Sequence, residues 1–159
     1  MTREGIDTRT VAVTAIMIAV VAVFTRFVVI PIGTGFFNFS DVAIYFAAFA
    51  FGPWIGFAAG GVGAALADIS LGYSQFALLT FFAHGLEGLV AGYLGREGSP
   101  MARFVGKGDV RLRMLLGWLA GTVVMVGLYF VGEYSVPAMW GGPPQALTEW
   151  PFNVLQNVA

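Results

Sequence analysis

Residues 36–95 read FFNFSDVAIYFAAFAFGPWIGFAAGGVGAALADISLGYSQFALLTFFAHGLEGLVAGYLG. The stretch is almost entirely apolar, aromatic and glycine. Set into it are Asp41, Asp68, His84, Glu87 and the amide of Asn38. A charged side chain at the centre of a bilayer helix costs about 2.5–3.5 kcal/mol on insertion scales. Such groups persist where they find partners, reach water or serve a function. The composition of the whole chain puts this stretch in a membrane. Of 159 residues, 58% are apolar and 11% charged, against about 25% charged in soluble domains. Mean hydropathy is +0.81.

The length suits one domain, 1–159, with a single core. A net charge of −1 gives no global field toward nucleic acid. There is no cysteine, hence no disulfide, thiolate metal site or thiol nucleophile. The sequence has no GxxxxGK[ST], GxSxG or HExxH pattern. Ser70 and His84 fall on different helices at different depths, so they do not make a nucleophile–base pair. Catalysis is not expected, and neither is a cofactor.

Read in order, the apolar run Val11–Ile30 is a first spanning helix, and Pro31–Gly35 breaks it. A short second helix covers Phe37–Phe51. Gly52-Pro53 turns the chain into a third helix that ends at Leu71, since Pro suits a first helical position. A fourth helix runs from Gln75 to Leu94, and a fifth from Met114 to Tyr134. The loop 96–113 is polar and basic. Val136–Pro151 reads as an aromatic, proline-rich loop, leaving nine residues for a sixth helix that is expected to be incomplete. The fold class is an all-α membrane protein, a six-helix transmembrane bundle.

Charge supports that count. Arg3, Arg9, Arg96, Arg103, Lys107, Arg111 and Arg113 lie in the N-terminus and the 96–113 loop, while the loops at 31–40, 72–75 and 135–150 carry no Lys or Arg. The positive-inside rule makes the N-terminus cytoplasmic and requires an even number of crossings between residues 10 and 96. Separate second and third helices satisfy it; one span over 37–71 does not. Gly56-xxx-Gly60, Gly88-xxx-Gly92 and Gly117-xxx-Gly121 are small-xxx-small pairs that permit close helix packing.

The polar groups have competing readings. Arg26 snorkels to the outer interface or pairs with Asp41 or Asp68; otherwise it meets an anionic ligand. Asp41 caps the second helix through its N-terminus. Thr80, His84 and Glu87 share one inward face of the fourth helix. His-x-x-Glu alone is a weak metal fragment, because metal sites want three or four ligands; a hydrogen-bonded pair is preferred and no metal is expected. Asn153, Gln156 and Asn157 share a face near the chain end. With Trp140 and Trp150 beside them they suit either headgroup anchoring or a flat polar heterocycle.

The segment NFSDVAIYFAAFAFGPWIGFAAGGVGAALADISLGY, followed by LLTFFAHGLEGLVAGYLG, resembles the substrate-binding S components of energy-coupling factor (ECF) transporters. The features that match are the N-x-x-D entry, the FGP turn, the glycine-alanine run ending in LAD, the GY turn and the GLEGLVAG helix. The resemblance implies a six-helix bundle that captures a vitamin or related micronutrient from outside and works with a membrane scaffold subunit and two cytoplasmic ATPases. It implies a docking surface for the scaffold on Ala12, Ala15, Ala19 and Ala22 of the first helix; ordinary packing within the bundle is the alternative. It implies an outward-facing site, drawn here from Asn38, Asp41, Tyr73, Gln75, Thr80, His84, Glu133, Trp140, Trp150 and Asn153. Depth makes Glu87 a structural or coupling residue. Riboflavin-like, pyrimidine or thiamine-precursor, pantothenate and lipoate-type ligands remain open. A small ion-coupled carrier using Asp68 and Glu87, or a structural membrane protein without a ligand, are the alternative functions.

Overall fold

A computed structural model describes residues 7–27, 30–32, 35–101, 109–136, 139 and 142–158. Among them six helices occur: α1 (Thr8–Phe27), α2 (Ser40–Phe51), α3 (Pro53–Leu71), α4 (Ala77–Gly95), α5 (Val110–Ser135) and α6 (Gly142–Val158). Helices α1, α3, α4 and α5 are long and apolar enough to cross a membrane, and α2 is a shorter apolar helix. Large apolar side chains point outward: Trp54, Phe46, Val123 and Val131 are each more than half exposed. Asp41, Asp68, His84 and Glu87 are buried. That inversion suits a hydrocarbon surround, where polar groups must be satisfied inside the bundle.

The bundle is held together by small residues. Gly56 of α3 and Gly88 of α4 face each other across a crossing. A Cβ on Gly56 would lie 2.9 Å from the Gly88 carbonyl oxygen, and one on Gly88 would lie 2.5 Å from the Gly56 carbonyl oxygen. Gly117 brings α5 onto Ala91 and Gly95 of α4 in the same way. Alanines 43, 47, 59 and 64 pack with Met17, Val21 and Ile44 into the apolar core. Close backbone approach replaces the bulky core of a soluble protein. Helix α1 joins through one stripe, Met17, Val21 and Thr25, spaced by four residues.

The ends of the elements sort into two groups. The Arg96 guanidinium lies against Gly52, so the α2–α3 turn and the end of α4 are neighbours. Thr25, Asn38, Tyr73 and Glu133 line one cavity at the opposite end. Successive helices therefore alternate in direction, as an even number of crossings between residues 10 and 96 requires.

Several boundaries differ from the sequence reading. Helix α1 stops at Phe27, and Ile30–Ile32 (β1) pairs antiparallel with Gly35–Phe37 (β2), Ile30 opposite Phe37. Apolar content alone does not distinguish the end of a membrane helix from a short strand beside it. The fold is therefore helical with one small hairpin. Gln75 lies in the turn before α4. Residues 110–113 belong to α5, whose start is capped by Asp109: its carboxylate accepts from the backbone N–H groups of Arg111 (2.9 Å) and Leu112 (3.1 Å). Helix α6 starts at Gly142 and includes Pro151. Pro143 and Pro144 sit in its first turn, where a missing N–H costs nothing. The last helix thus has 17 residues instead of nine.

Candidate functional site

Helix α2 is short, and the site follows from that. Twelve residues make about 18 Å of helix, well under the roughly 30 Å of a hydrocarbon core. Its N-terminus stops inside the bundle, at the level of His84: the Asp41 Oδ1 atom is 3.3 Å from His84 Nδ1. Beyond that point the neighbouring helices enclose a cavity of about 580 Å³, including its open mouth. Thr25 comes from α1, Ala64 and Asp68 from α3, Thr80 and His84 from α4, Tyr129 and Glu133 from α5, and Glu149, Asn153 and Gln156 from α6. Asn38 and the turn residues Tyr73 and Phe76 complete the wall.

Helical spacing explains the assembly. Ala64 and Asp68, Phe76, Thr80 and His84, and Tyr129 and Glu133 each recur at four, so each helix offers one face. Asn38 makes the entry to α2. Its side-chain oxygen accepts from the Ser40 N–H at 2.7 Å, an Asx turn, while its amide nitrogen donates to Gln156 Oε1 at 3.3 Å. One residue thereby ties the start of α2 to α6.

Two polar networks line the walls. The Thr80 hydroxyl donates to Asp68 Oδ2 at 2.5 Å and lies 2.7 Å from the Tyr129 hydroxyl. A hydroxyl has one proton, so Tyr129 donates to Thr80. At the cavity floor His84 Nδ1 is 2.8 Å from Glu87 Oε2 as well as close to Asp41. All three side chains are buried. Asp41 thus lies in the first turn of α2, where a carboxylate suits the helix N-terminus, and is also a partner of His84. The ligand atoms of Asp41, His84 and Glu87 lie within 4.8 Å of one another and are the group best placed to hold a metal among the described residues.

The structure brings Asn38, Tyr73, Thr80, His84, Glu133 and Asn153 to one cavity, with Asp41 behind His84. Gln75 and Trp150 are exposed and outside its lining. Trp140 lies outside the described residues. Asp68 pairs with Thr80, whereas Arg26 is exposed with its guanidinium 5.8 Å from the Phe27 ring centroid. Asn157 serves packing: its side-chain oxygen accepts from the Tyr45 hydroxyl at 2.7 Å, and its carbonyl accepts from Trp118 Nε1 at 2.8 Å. Sequence reasoning missed Thr25, Ala64, Phe76, Tyr129 and Glu149 as lining residues. Tyr129 was findable, since it stands four residues before Glu133, on the same face of α5.

A buried polar cavity among membrane-spanning helices is the mark of a membrane protein that binds a solute. The chain belongs to a family of that class: residues 5–158 match the ECF-type riboflavin transporter, S component. It is thus a multi-pass membrane protein of a vitamin-transporter family, which is not an enzyme family. It is also similar to a Pyrococcus woesei protein described as an uncharacterized protein in gap 3′region, 37% identical over 130 residues, covering 82% of this chain and 78% of that one.

Proposed function

We propose that residues 1–159 form one substrate-binding unit that captures a riboflavin-type vitamin and passes it across a prokaryotic cytoplasmic membrane. In this reading the N-terminus and the 96–109 connection are cytoplasmic, and the cavity opens outward. The observation that carries it is the cavity. Its wall combines ring surfaces (Tyr73, Phe76, Tyr129) with amides (Asn38, Asn153, Gln156). That combination suits a flat heterocycle bearing hydrogen-bonding edges. Asn38, Tyr73, Thr80, His84, Glu133 and Asn153 make the contacts or hold those that do, and Asp41 fixes His84.

Energy comes from partners: a membrane scaffold subunit and two ATPases, which fits the absence of a P-loop from this sequence. The scaffold docks on α1. Ala12, Ala15 and Ala19 are exposed and Ala22 is half-buried. Residues two apart on a helix point to nearly opposite sides, so Ala15 and Ala19 lie opposite the packed Met17 and Val21. Mass spectrometry of small molecules that co-purify with the chain tests the reading. A flavin is the expected finding; a reproducible ligand of another class would replace the assignment.

A further inference from the structure

Asp41, His84 and Glu87 are 2%, 4% and 0% exposed. The sequence spacing sets His84 and Glu87 on one face of α4, and the fold adds a third group by starting α2 beside them. Both carboxylates converge on one atom, His84 Nδ1, with Asp41 Oδ1 at 3.3 Å and Glu87 Oε2 at 2.8 Å. That nitrogen holds at most one proton. With the proton the cluster keeps one uncompensated negative charge, and without it two. Neither carboxylate has a Lys or Arg partner among the described residues. Ser40 Oγ adds only a 3.4 Å bond to Asp41 Oδ1. The other two oxygens, Asp41 Oδ2 and Glu87 Oε1, are buried and have no hydrogen-bond partner among the described residues. Uncompensated charge and unpaired oxygen are both costly inside a protein.

We propose that Asp41, His84 and Glu87 form a binding site for one divalent transition-metal ion of the Zn²⁺ class, which clamps the start of α2 to α4. Two carboxylates and a neutral imidazole balance a divalent cation. Carboxylates coordinate through one oxygen or both, so the same ion takes up the unpaired oxygens. Zinc bonds to nitrogen and oxygen are about 2.0–2.2 Å long, so two donors on one ion lie up to about 4.4 Å apart. The separations at His84 Nδ1 fall inside that limit, and all three ligand atoms lie within 4.8 Å of one another. The imidazole selects against Mg²⁺ and Ca²⁺, which prefer oxygen alone. Three protein ligands leave a fourth position for water. His84 also lines the cavity, which supplies the entry path that a buried ion requires. The inference is independent of what the cavity binds.

The test uses the full chain in detergent, purified without a polyhistidine tag and stripped with a chelator. Zn²⁺ alone is added, the protein is desalted, and the retained metal is counted per chain by elemental mass spectrometry. One retained ion is expected, together with an unfolding temperature raised by Zn²⁺ and unmoved by Mg²⁺. His84 is the single histidine of the sequence, so ¹⁵N-labelled histidine reports one imidazole, and Zn²⁺ is expected to shift its nitrogen signals. In Asp41→Asn and in Glu87→Gln, which keep the size and remove a charge, zinc affinity is expected to fall about a hundredfold. Zinc lost on desalting marks an adventitious ion only and overturns the proposal. An imidazole that responds to pH and ignores Zn²⁺ overturns it in favour of a second proton in the cluster. Tight binding that neither substitution weakens places the ion elsewhere and overturns the assignment. The imidazole signal is read on wild-type protein, so it decides the matter where a variant folds poorly.

Discussion

Replacing His84 by alanine would strand two carboxylates inside the bundle. Asp41 and Glu87 both lean on the same imidazole nitrogen, at 3.3 and 2.8 Å. Removing one partner of a buried ionic group costs about 3–5 kcal/mol, because the remaining charge stays desolvated. His84→Ala is therefore expected to lower the thermal stability of the purified protein sharply, and His84→Ala with Glu87→Gln to recover part of the loss. An unchanged unfolding temperature in His84→Ala would show that the cluster carries no such load. At this scale the sequence was informative about identity and weak about partners. That Asp41, Asp68, His84 and Glu87 need partners followed from their apolar surroundings. That Asp41 meets His84, and Asp68 meets Thr80, depends on where α2 begins and how α3 crosses α4. No spacing along the chain encodes those pairings. Tryptophans 140 and 150 attracted attention through their residue type alone, and Trp150 stands outside the cavity wall.

At the scale of elements, two crossings set the geometry. The α3–α4 crossing has backbone against backbone at Gly56 and Gly88, so neither side can yield as a flexible side chain would. Gly88→Ala is expected to destabilise by about 1–3 kcal/mol, the usual range for overpacking, read as a lower unfolding temperature in detergent. The same substitution at Gly127, where a Cβ meets nothing within 4 Å, serves as the control and should be neutral. The seat of α6 is held differently, by Tyr45, Thr122 and Trp118 around Asn157. Tyr45→Phe removes the bond to Asn157 together with the hydroxyl's contacts to Thr122 Oγ1 (3.1 Å) and the Trp118 carbonyl (3.2 Å), but the Thr122 hydroxyl remains 3.1 Å from the same Asn157 oxygen. The expected cost is thus about 0.5–1.5 kcal/mol. Faster amide exchange in α6 with little change in α1 would register it; uniform exchange would contradict this role. The long helices were legible because hydropathy, the Gly52-Pro53 turn and the glycine pairs agree. The hairpin and the start of α6 were not. Both lie in proline- and glycine-bearing segments, where proline ends a helix at one position and opens one at another.

At the scale of the whole molecule, a polar cavity lies at one end of the bundle, and Ala15 and Ala19 stand exposed on α1. These two features are separable. Ala15→Trp with Ala19→Trp fills the exposed face and leaves Met17, Val21 and Thr25 seated on the bundle. Uptake by cells carrying the complete transporter is expected to fall to background while flavin binding by the isolated chain persists. Retained uptake would move the docking face elsewhere. The central claim is that this chain alone binds the vitamin in its cavity. Its most direct test is a fluorescence titration of the purified, monodisperse protein with riboflavin, repeated with Asn153→Leu. Saturable quenching at one flavin per chain, weakened at least about tenfold by the substitution, is the predicted result. No saturable quenching by the wild-type chain, or equal affinity in the variant, would contradict it.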